Sequence, residues 1–538
     1  MASTAGPSQE QPEVPRNAGS PYDSAALSAD VILRSSDLID FYVFKAFLIY
    51  ISPFFKGMFN LPSTTTNETI NGFPIIPVAE TSETIHLLLD IIYPHIGEPK
   101  IDNVTLFLNV CKATQKYGMV IIGNRLRKQI VTLDLMVSEP LRLYAVAIDL
   151  EWEDVAIVAA RHASKISFEK LPHAEEFKNI SGSGFYRFVD YKLRRDKPDF
   201  LDNLRTFPSV SAASASDVRM LWPIRSRSAE KPFGRTAKAD VVLRSKGPVD
   251  FFVLKDLVRA ASDSSSSPDT MGLAIGETAN GQTIISVAEH SEVLHHLLTL
   301  IYRVSDELDI QNSWLYIQVV LAARRYEMTT IETQLRKQVA ASPLIFTEPL
   351  RIYIVASALG WAELAKSAAI NTLSSPLENM THMTEFDLIT GADLYRLVSF
   401  RFRCVDAALN VINGNSDYET YGPGGWTLLA EYGDAKNGNP KSKGYGRIWE
   451  SSDTKFCHHG PAPGGKLFEK LRSCPRGSAV KDVCDLEDTE LWAASRLKPC
   501  VTVDGFIVYK ILKCRREIEE AVEAAVAKVP FHVCISRS

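Results

Sequence analysis

The apolar positions fall first into short extended runs and then into helical stripes. Asp30-Val31-Ile32-Leu33 and Phe41-Tyr42-Val43-Phe44 are β-branched and aromatic, and Ser35-Ser36-Asp37 separates them. That arrangement predicts a β-hairpin. Ala46 to Phe59 carries Phe47, Ile51, Phe54, Phe55 and Met58 at helical spacing, which predicts a helix. Phe73 to Val78 reads as a third strand, and Pro74 and Pro77, which lack an N–H, place it at a sheet edge. Ser82 then reads as a helix cap with Glu83 in the first turn, where the helix dipole favours an anion. Ile85, Leu88, Leu89 and Ile92 form the stripe of that helix, and Leu106, Val110, Ala113 and Tyr117 form the stripe of the next. Glu139-Pro140 opens a later helix with Pro in its first turn, and Leu141, Ala145, Ile148 and Trp152 line one face.

The same pattern then returns. Ala29-Asp30-Val31-Ile32-Leu33-Arg34-Ser35 recurs as Ala239-Asp240-Val241-Val242-Leu243-Arg244-Ser245. Leu126-Arg127-Lys128-Gln129 recurs as Leu335-Arg336-Lys337-Gln338, and Glu139-Pro140-Leu141-Arg142 as Glu348-Pro349-Leu350-Arg351. The stripes recur as well, as Leu294, Leu297, Leu298 and Ile301 and then as Leu315, Val319, Ala322 and Tyr326. A period of about 210 residues is domain-sized and far longer than a solenoid repeat. Stripes that persist while the other faces drift mark buried faces, and Trp152 and Trp361 are expected at equivalent buried sites.

Composition adds limits. The chain has 538 residues, 46% hydrophobic and 23% charged, enough to build real cores. A net charge of −5 gives no general attraction for nucleic acid or an anionic membrane. Residues 1–27 are poor in apolar residues and read as a disordered tail without the features of a signal peptide. The most apolar run, Phe41 to Phe59, is broken by Lys45, Pro53 and Lys56, so no membrane span is expected. The expectation is an intracellular chain, in cytoplasm or nucleus, with reduced thiols.

Several residues carry a resemblance. Asp30-Val31-x-Leu33, Phe41-x-Val43-x-Lys45-Ala46-x-Leu48, Ser52-Pro53-Phe54-Phe55-x-x-Met58-Phe59, Ile92-Tyr93 and Lys116-Tyr117-Gly118-Met119 together resemble a BTB/POZ domain over about residues 28–136. Lys45 stands where that family usually has His. The following helices resemble the extension found after the domain in fungal members, and the tail loosely resembles the Cys-containing tails of basidiomycete members. The second copy keeps Asp240-Val241 and Phe251-x-Val253-x-Lys255 but has a Ser/Asp run at Ala260 to Asp269 in place of Ser-Pro-Phe-Phe. The implied fold class is α+β, with two BTB/POZ-like units, each a small sheet flanked by helices with a helical extension, and an irregular Cys-containing C-terminal region. The expected boundaries are 28–136 and 137–202 for the first unit and its extension, 203–236 for a linker, 237–345 and 346–412 for the degenerate second unit and its extension, and 413–538 for the tail. The family implies a non-enzymatic adaptor that binds protein partners, with no cofactor. It implies a homodimer through the first unit, with Phe47, Ile51, Phe54, Phe55 and Met58 at the interface. A cullin-type ubiquitin ligase or a transcriptional complex is the implied setting.

Four motifs suggest other chemistry. Gly460-Pro-Ala-Pro-Gly-Gly-Lys466-Leu467 approaches a phosphate-binding loop, but Leu467 has no hydroxyl for Mg²⁺ and two prolines remove donors, so it reads as a loop. Cys457-His458-His459 with Cys474, Cys484, Cys500, Cys514 and Cys534 could hold zinc in an alternative, metal-binding or enzymatic tail. No C-x₂₋₄-C pair is present to aim two ligands at one ion, so structural thiols are expected. His295-His296 read as helix-surface residues, and Arg187, Lys192, Arg194 and Arg195 as a solvated helix face.

Overall fold

The computed structural model describes residues 15–23, 29–61, 69–93, 99–194, 227–235, 238–262, 277–279, 282–304, 313–412, 463–483 and 505–531. The chain divides into two units, Met1–Arg205 with Thr390–Tyr395 and Thr206–Ile389 with Arg396–Ser538.

The first unit begins with the strands β1 (Arg16–Asn17), β2 (Val31–Arg34) and β3 (Ile39–Val43). β2 and β3 pair antiparallel with Val31 opposite Val43 and Arg34 opposite Asp40, as the hairpin pattern predicts. Arg34 Nε reaches Asp40 Oδ1 at 2.7 Å, so the cross-strand pair is also an ion pair. After the helices α1 (Lys45–Ile51) and α2 (Pro53–Asn60), β4 (Thr69–Ile70) and β5 (Phe73–Pro77) complete a sheet of order β1-β3-β2-β5-β4.

β5 is not an edge strand: it runs parallel to β2 and antiparallel to β4. The prolines are tolerated because of where their missing donors would point. Val78 N–H donates to Arg34 O, and successive N–H groups alternate in direction, so Pro77 N faces away from β2 and past the end of the two-residue β4. Pro74 precedes the β2 pairing, which starts at Ile75.

Residues 15–23 are also structured, against the tail expectation. β1 adds to β3 in parallel, and Tyr22 is buried with its hydroxyl donating to Asp90 Oδ1 at 3.0 Å. Backbone pairing and one buried ring order this segment, which its polar composition hides.

α3 (Ser82–Ile92) buries the expected stripe, and Leu87 and Ile91 as well. It is followed by α4 (Val104–Lys116), α5 (Val120–Ile130), α6 (Leu135–Ser138), α7 (Pro140–Asp149), α8 (Glu153–Ala163) and α9 (Gly182–Arg194). Ser82 does not cap α3. Its N–H and hydroxyl both donate to Asp37, which supplies the carboxylate at the helix start from the hairpin turn.

The expected solvated face at α9 is largely used within the fold. Lys192 Nζ donates to the carbonyls of Ser164 and Ile166 just past the end of α8, Arg187 pairs with Glu153, and Arg194 pairs with Asp190. Carbonyls at a helix C-terminus attract a cation, and that feature is invisible in a charge run. Arg195 lies outside the described residues.

The second unit has β6 (Arg227–Ser228), β7 (Val241–Arg244), β8 (Val249–Val253), α10 (Lys255–Ala260), β9 (Glu277–Ala279) and β10 (Gln282–Ser286). Its sheet order, β6-β8-β7-β10-β9, repeats the first element for element, and Arg244 pairs with Asp250 as Arg34 does with Asp40. β6 belongs to this sheet and the buried Phe233 accepts from Phe252 N–H of β8, although both fall within the expected linker. The helices are α11 (Ser291–Ile301), α12 (Ser313–Arg325), α13 (Thr329–Ala341), α14 (Leu344–Thr347), α15 (Pro349–Ala358), α16 (Ala362–Thr372) and α17 (Gly391–Ile412). Trp361 is buried and its Nε1–H donates to Glu332 at 2.9 Å. Trp152 begins α8 as Trp361 begins α16 but is only half-buried, and Gly123 stands at the position of Glu332.

The C-terminal region is helical where it is described, with α18 (Pro463–Ser473), α19 (Gly477–Val483) and α20 (Gly505–Lys528). These helices pack on the second unit's extension. Phe531 meets Phe400 at 4.8 Å, Arg476 donates to Ile370 O, and Arg401 donates to Thr372 O, Ser375 O and Ser473 O. Glycine and proline content predicts irregularity, yet Pro463 stands at the first position of a helix, where its missing N–H costs nothing.

Candidate interaction surface

The predicted helix over Ala46 to Phe59 is two helices. Pro53 disfavours helical geometry at the residue before it, and Ser52 is extended there, with φ −129° and ψ 112°. Ser52 is fully buried. Its Oγ accepts from Phe55 N–H at 3.1 Å, capping α2, and donates to Tyr117 O at 2.6 Å. Gly118 has φ +65°, a left-handed conformation that favours glycine, and a Cβ there would meet Pro53 only at ordinary contact distance, 3.5 Å. The start of α1 is held by the residue before β2: Asp30 Oδ1 accepts from Lys45 N–H at 2.6 Å. Phe44 N–H donates to Tyr93 Oη at 2.8 Å.

This anchoring sorts the five candidate residues. Phe55 is a core residue, 2% exposed, and stacks on Tyr117 at 4.9 Å. Phe47 is half-buried against Tyr93, and Ile51 and Met58 are half-buried as well. Of the five, Phe54 is the most open, at 48% exposed. The kink accounts for the departure of Phe55. A straight helix would place it beside Ile51 and Met58, but the turn at Ser52-Pro53 swings it inward.

The structure adds surface residues that spacing did not indicate. Tyr50 is 84% exposed at the end of α1, and Val120 and Ile121 are 69% and 68% exposed at the start of α5. α1 packs against α5, and the Ser52–Tyr117 hydrogen bond joins the start of α2 to the turn leading into α5. Tyr50, Phe54, Val120 and Ile121 are therefore exposed apolar side chains at the ends of three neighbouring helices. The signal that could have found Val120 and Ile121 is comparison of the two copies, which have Thr329 and Thr330 at the matching positions. In α10, Ala260 stands at the position of Tyr50 and Arg259 at that of Ile49, while buried Leu48 is matched by buried Val258. The core position is kept and the surface positions become small or polar. Residues 263–276, which include most of the Ser/Asp run, lie outside the described residues.

Beneath this surface lies a carboxylate held in both units. Glu80 accepts from Lys116 Nζ at 2.7 Å and from the Tyr117 hydroxyl. Glu289 does the same with Arg325 at 2.6 Å and Tyr326. Burial pushes the Glu80 pKa up, but the Lys116 and Tyr117 hydrogen bonds outweigh it and hold the carboxyl below its usual range. Burial first and the glutamate second push both tyrosine pKa values up, so these phenols stay protonated.

Among the described residues, no group of three or more His, Cys, Asp or Glu side chains could hold a metal ion. Of the zinc candidates only Cys474 has a described side chain, and it is buried. Residues 460–462 of the glycine-rich motif lie outside the described residues, and from Pro463 onward the motif is helix. Burial raises the Cys404 pKa to about 12, which leaves the thiol inert. His295 packs edge-on to Phe233, as His86 does to Tyr22. No helix among the described residues is long and apolar enough to cross a membrane.

The BTB/POZ domain family profile matches residues 23–129, about a fifth of the chain. The matched span runs from β2 to the end of α5 and contains the exposed apolar residues described above. A search of curated proteins found no match to this sequence.

Proposed function

We propose that the BTB/POZ domain at residues 23–129 makes this chain a non-enzymatic adaptor that self-associates through its first unit and carries partners on its helical extensions. Domains of this family are in general protein–protein interaction modules. The observation that carries the reading is the exposure of Tyr50, Phe54, Val120 and Ile121 at the ends of α1, α2 and α5, with Phe47, Ile51 and Met58 half-buried in α1 and α2. Exposed apolar side chains on neighbouring helices are the ordinary mark of an interface. The second unit is read as a degenerate copy of the same domain, on the strength of its repeated sheet order. It keeps the sheet and has Ala260, Thr329 and Thr330 where the first unit exposes Tyr50, Val120 and Ile121. A substrate-adaptor role in a cullin-type ubiquitin ligase is the setting we favour, inside the cell.

Sedimentation of the full chain at micromolar concentration tests the reading. The wild type should be dimeric, and Tyr50→Asp combined with Ile121→Asp should make it monomeric with its far-UV circular dichroism unchanged. Both positions are solvent-facing, so the fold should tolerate the change. A wild type that stays monomeric, or a dimer indifferent to both substitutions, would refute an interface at this surface.

A further inference from the structure

Each unit seats a short N-terminal arm of one pattern on its sheet. Residues 16–22 read Arg-Asn-Ala-Gly-Ser-Pro-Tyr and residues 227–233 read Arg-Ser-Ala-Glu-Lys-Pro-Phe, so arginine, alanine, proline and an aromatic ring keep their spacing. The backbone bonds repeat as well. Arg16 N–H donates to Leu38 O and Ala18 N–H to Asp40 O, both at 2.9 Å, and Tyr22 O accepts from Tyr42 N–H at 3.0 Å. Arg227, Ala229 and Phe233 make the same three bonds with Pro248, Asp250 and Phe252. The Tyr22 ring sits among Phe41, His86 and Tyr93, at centroid distances of 6.2, 5.5 and 5.4 Å. Phe233 sits among Phe251, His295 and Tyr302 at 6.4, 5.6 and 5.3 Å. Of residues 15–22, only Ala18 and Tyr22 are buried. An extended segment bonded along a strand edge, with one ring enclosed, is the geometry of peptide capture by strand addition. So few buried side chains let the arm leave at far less cost than unfolding the unit, and its departure bares the β3 edge.

The two seats differ where the two arms differ. The Tyr22 hydroxyl donates to Asp90 Oδ1 at 3.0 Å, and Asp90 Oδ2 lies 3.2 Å from His86 Nδ1. The second unit has Thr299 at the position of Asp90, and the Thr299 hydroxyl donates to His295 O at 2.8 Å within its own helix. Its arm carries phenylalanine, which has no hydroxyl to place. A carboxylate suits a phenol, and a threonine satisfied by its own helix suits a bare ring. We propose that this strand edge and its ring of aromatics form a peptide-binding site, filled in each unit by the chain's own arm, that takes an extended segment of a partner protein in which a small residue is followed four positions later by an aromatic ring after proline. Asp90 makes the first site select tyrosine, and Thr299 makes the second select phenylalanine. The chain itself displays the ligand pattern twice, once in each site. The arm acts as a tethered competitor that a partner segment displaces. The proposal does not depend on self-association through Tyr50 and Ile121.

The experiment uses the full-length protein with a protease site inserted between Asp23 and Ala29. Cutting frees the first arm, and chromatography removes it. A fluorescent peptide of residues 15–23 should then bind the cut protein, read by anisotropy. It should bind the uncut protein at least about tenfold more weakly, because the tethered arm competes. Phenylalanine in place of the peptide's tyrosine should cost about tenfold in affinity, the loss of one hydrogen bond to a carboxylate. Asp90→Thr, which installs the second unit's residue at a partly exposed position, should erase that preference. The peptide comparison needs no change to the protein, so it stands even where Asp90→Thr folds poorly. The proposal is overturned by any of four results. The cut protein loses its circular dichroism, which would make the arm part of the core. The peptide does not bind it at about 100 µM. Cut and uncut proteins bind equally, or the tyrosine and phenylalanine peptides do. The peptide splits a dimer of the uncut protein into monomers, which would make a second copy's arm the occupant.

Discussion

Glu80 shows how one residue links three elements, since it follows β5, precedes α3 and holds the end of α4 through Lys116 and Tyr117. Its side chain is largely buried while Lys116 is half-exposed, so the tyrosine bond should matter more than the screened ion pair. Glu80→Gln should destabilise the first unit by about 1–2 kcal/mol at neutral pH, read by urea denaturation. The pH dependence follows from the sign of the shift. A carboxyl held below its ordinary value of 4.5 adds stability above that pH and loses it as pH falls through the depressed folded value. The gap between wild type and Glu80→Gln should therefore be constant above about pH 5 and close below it. A gap that persisted at low pH would show that the carboxylate's charge is irrelevant. This residue was not legible in the sequence as a site. Its partners are about 36 positions away, and only the matched triplet Glu289, Arg325 and Tyr326 reveals the set.

At the scale of the element, the break between α1 and α2 decides which aromatic faces outward. The Ser-Pro pair was visible, but helical spacing ran straight through it, because periodicity registers only where apolar residues fall. Ser52 caps α2 and satisfies the Tyr117 carbonyl with one hydroxyl. Ser52→Ala should thus cost the cap, about 1 kcal/mol, and leave a buried carbonyl without its donor at about 1–3 kcal/mol. The combined loss, about 2–4 kcal/mol by chemical denaturation, should be accompanied by faster amide exchange in α2. A loss below about 0.5 kcal/mol would mean that water replaces the hydroxyl. The β5 strand makes a similar point, since Pro74 and Pro77 argued for an edge and the sheet accommodated them inside by aiming their nitrogens past its pairings.

For the whole molecule, the most consequential difference between the units is a single cation. Lys192 holds the carbonyls of Ser164 and Ile166 beyond α8, and Arg401 at the matching position holds those of Thr372, the last residue of α16, and Ser375 beyond it. The forked guanidinium of Arg401 also reaches Ser473, the last residue of α18, and an ammonium cannot span all three carbonyls. Arg401→Lys should leave the second unit folded and loosen α18 to α20. Limited proteolysis within 463–531 should then accelerate about tenfold while the melting of the remainder is unchanged. Equal protection in both proteins would place the docking energy elsewhere, with Phe531 against Phe400 the next contact to test.

What the sequence determined by itself was whatever repeats or alternates: two copies, the hairpin, the buried stripes of α3 and α11, and the retained core pair Leu48 and Val258. Burial constrains residue type at a regular period, so these leave a trace along the chain. Tertiary structure decided what depends on long-range partners. It recruited residues 15–23 to the sheet, took the α3 cap from Asp37, turned Phe55 into the core, and folded the C-terminal segment on Arg401. Each is a hydrogen bond or ring contact made by one residue with a distant partner, which leaves no period to detect. The exposed faces fall between the two. The sequence shows apolar residues throughout each unit, and only the fold shows which of them are left exposed.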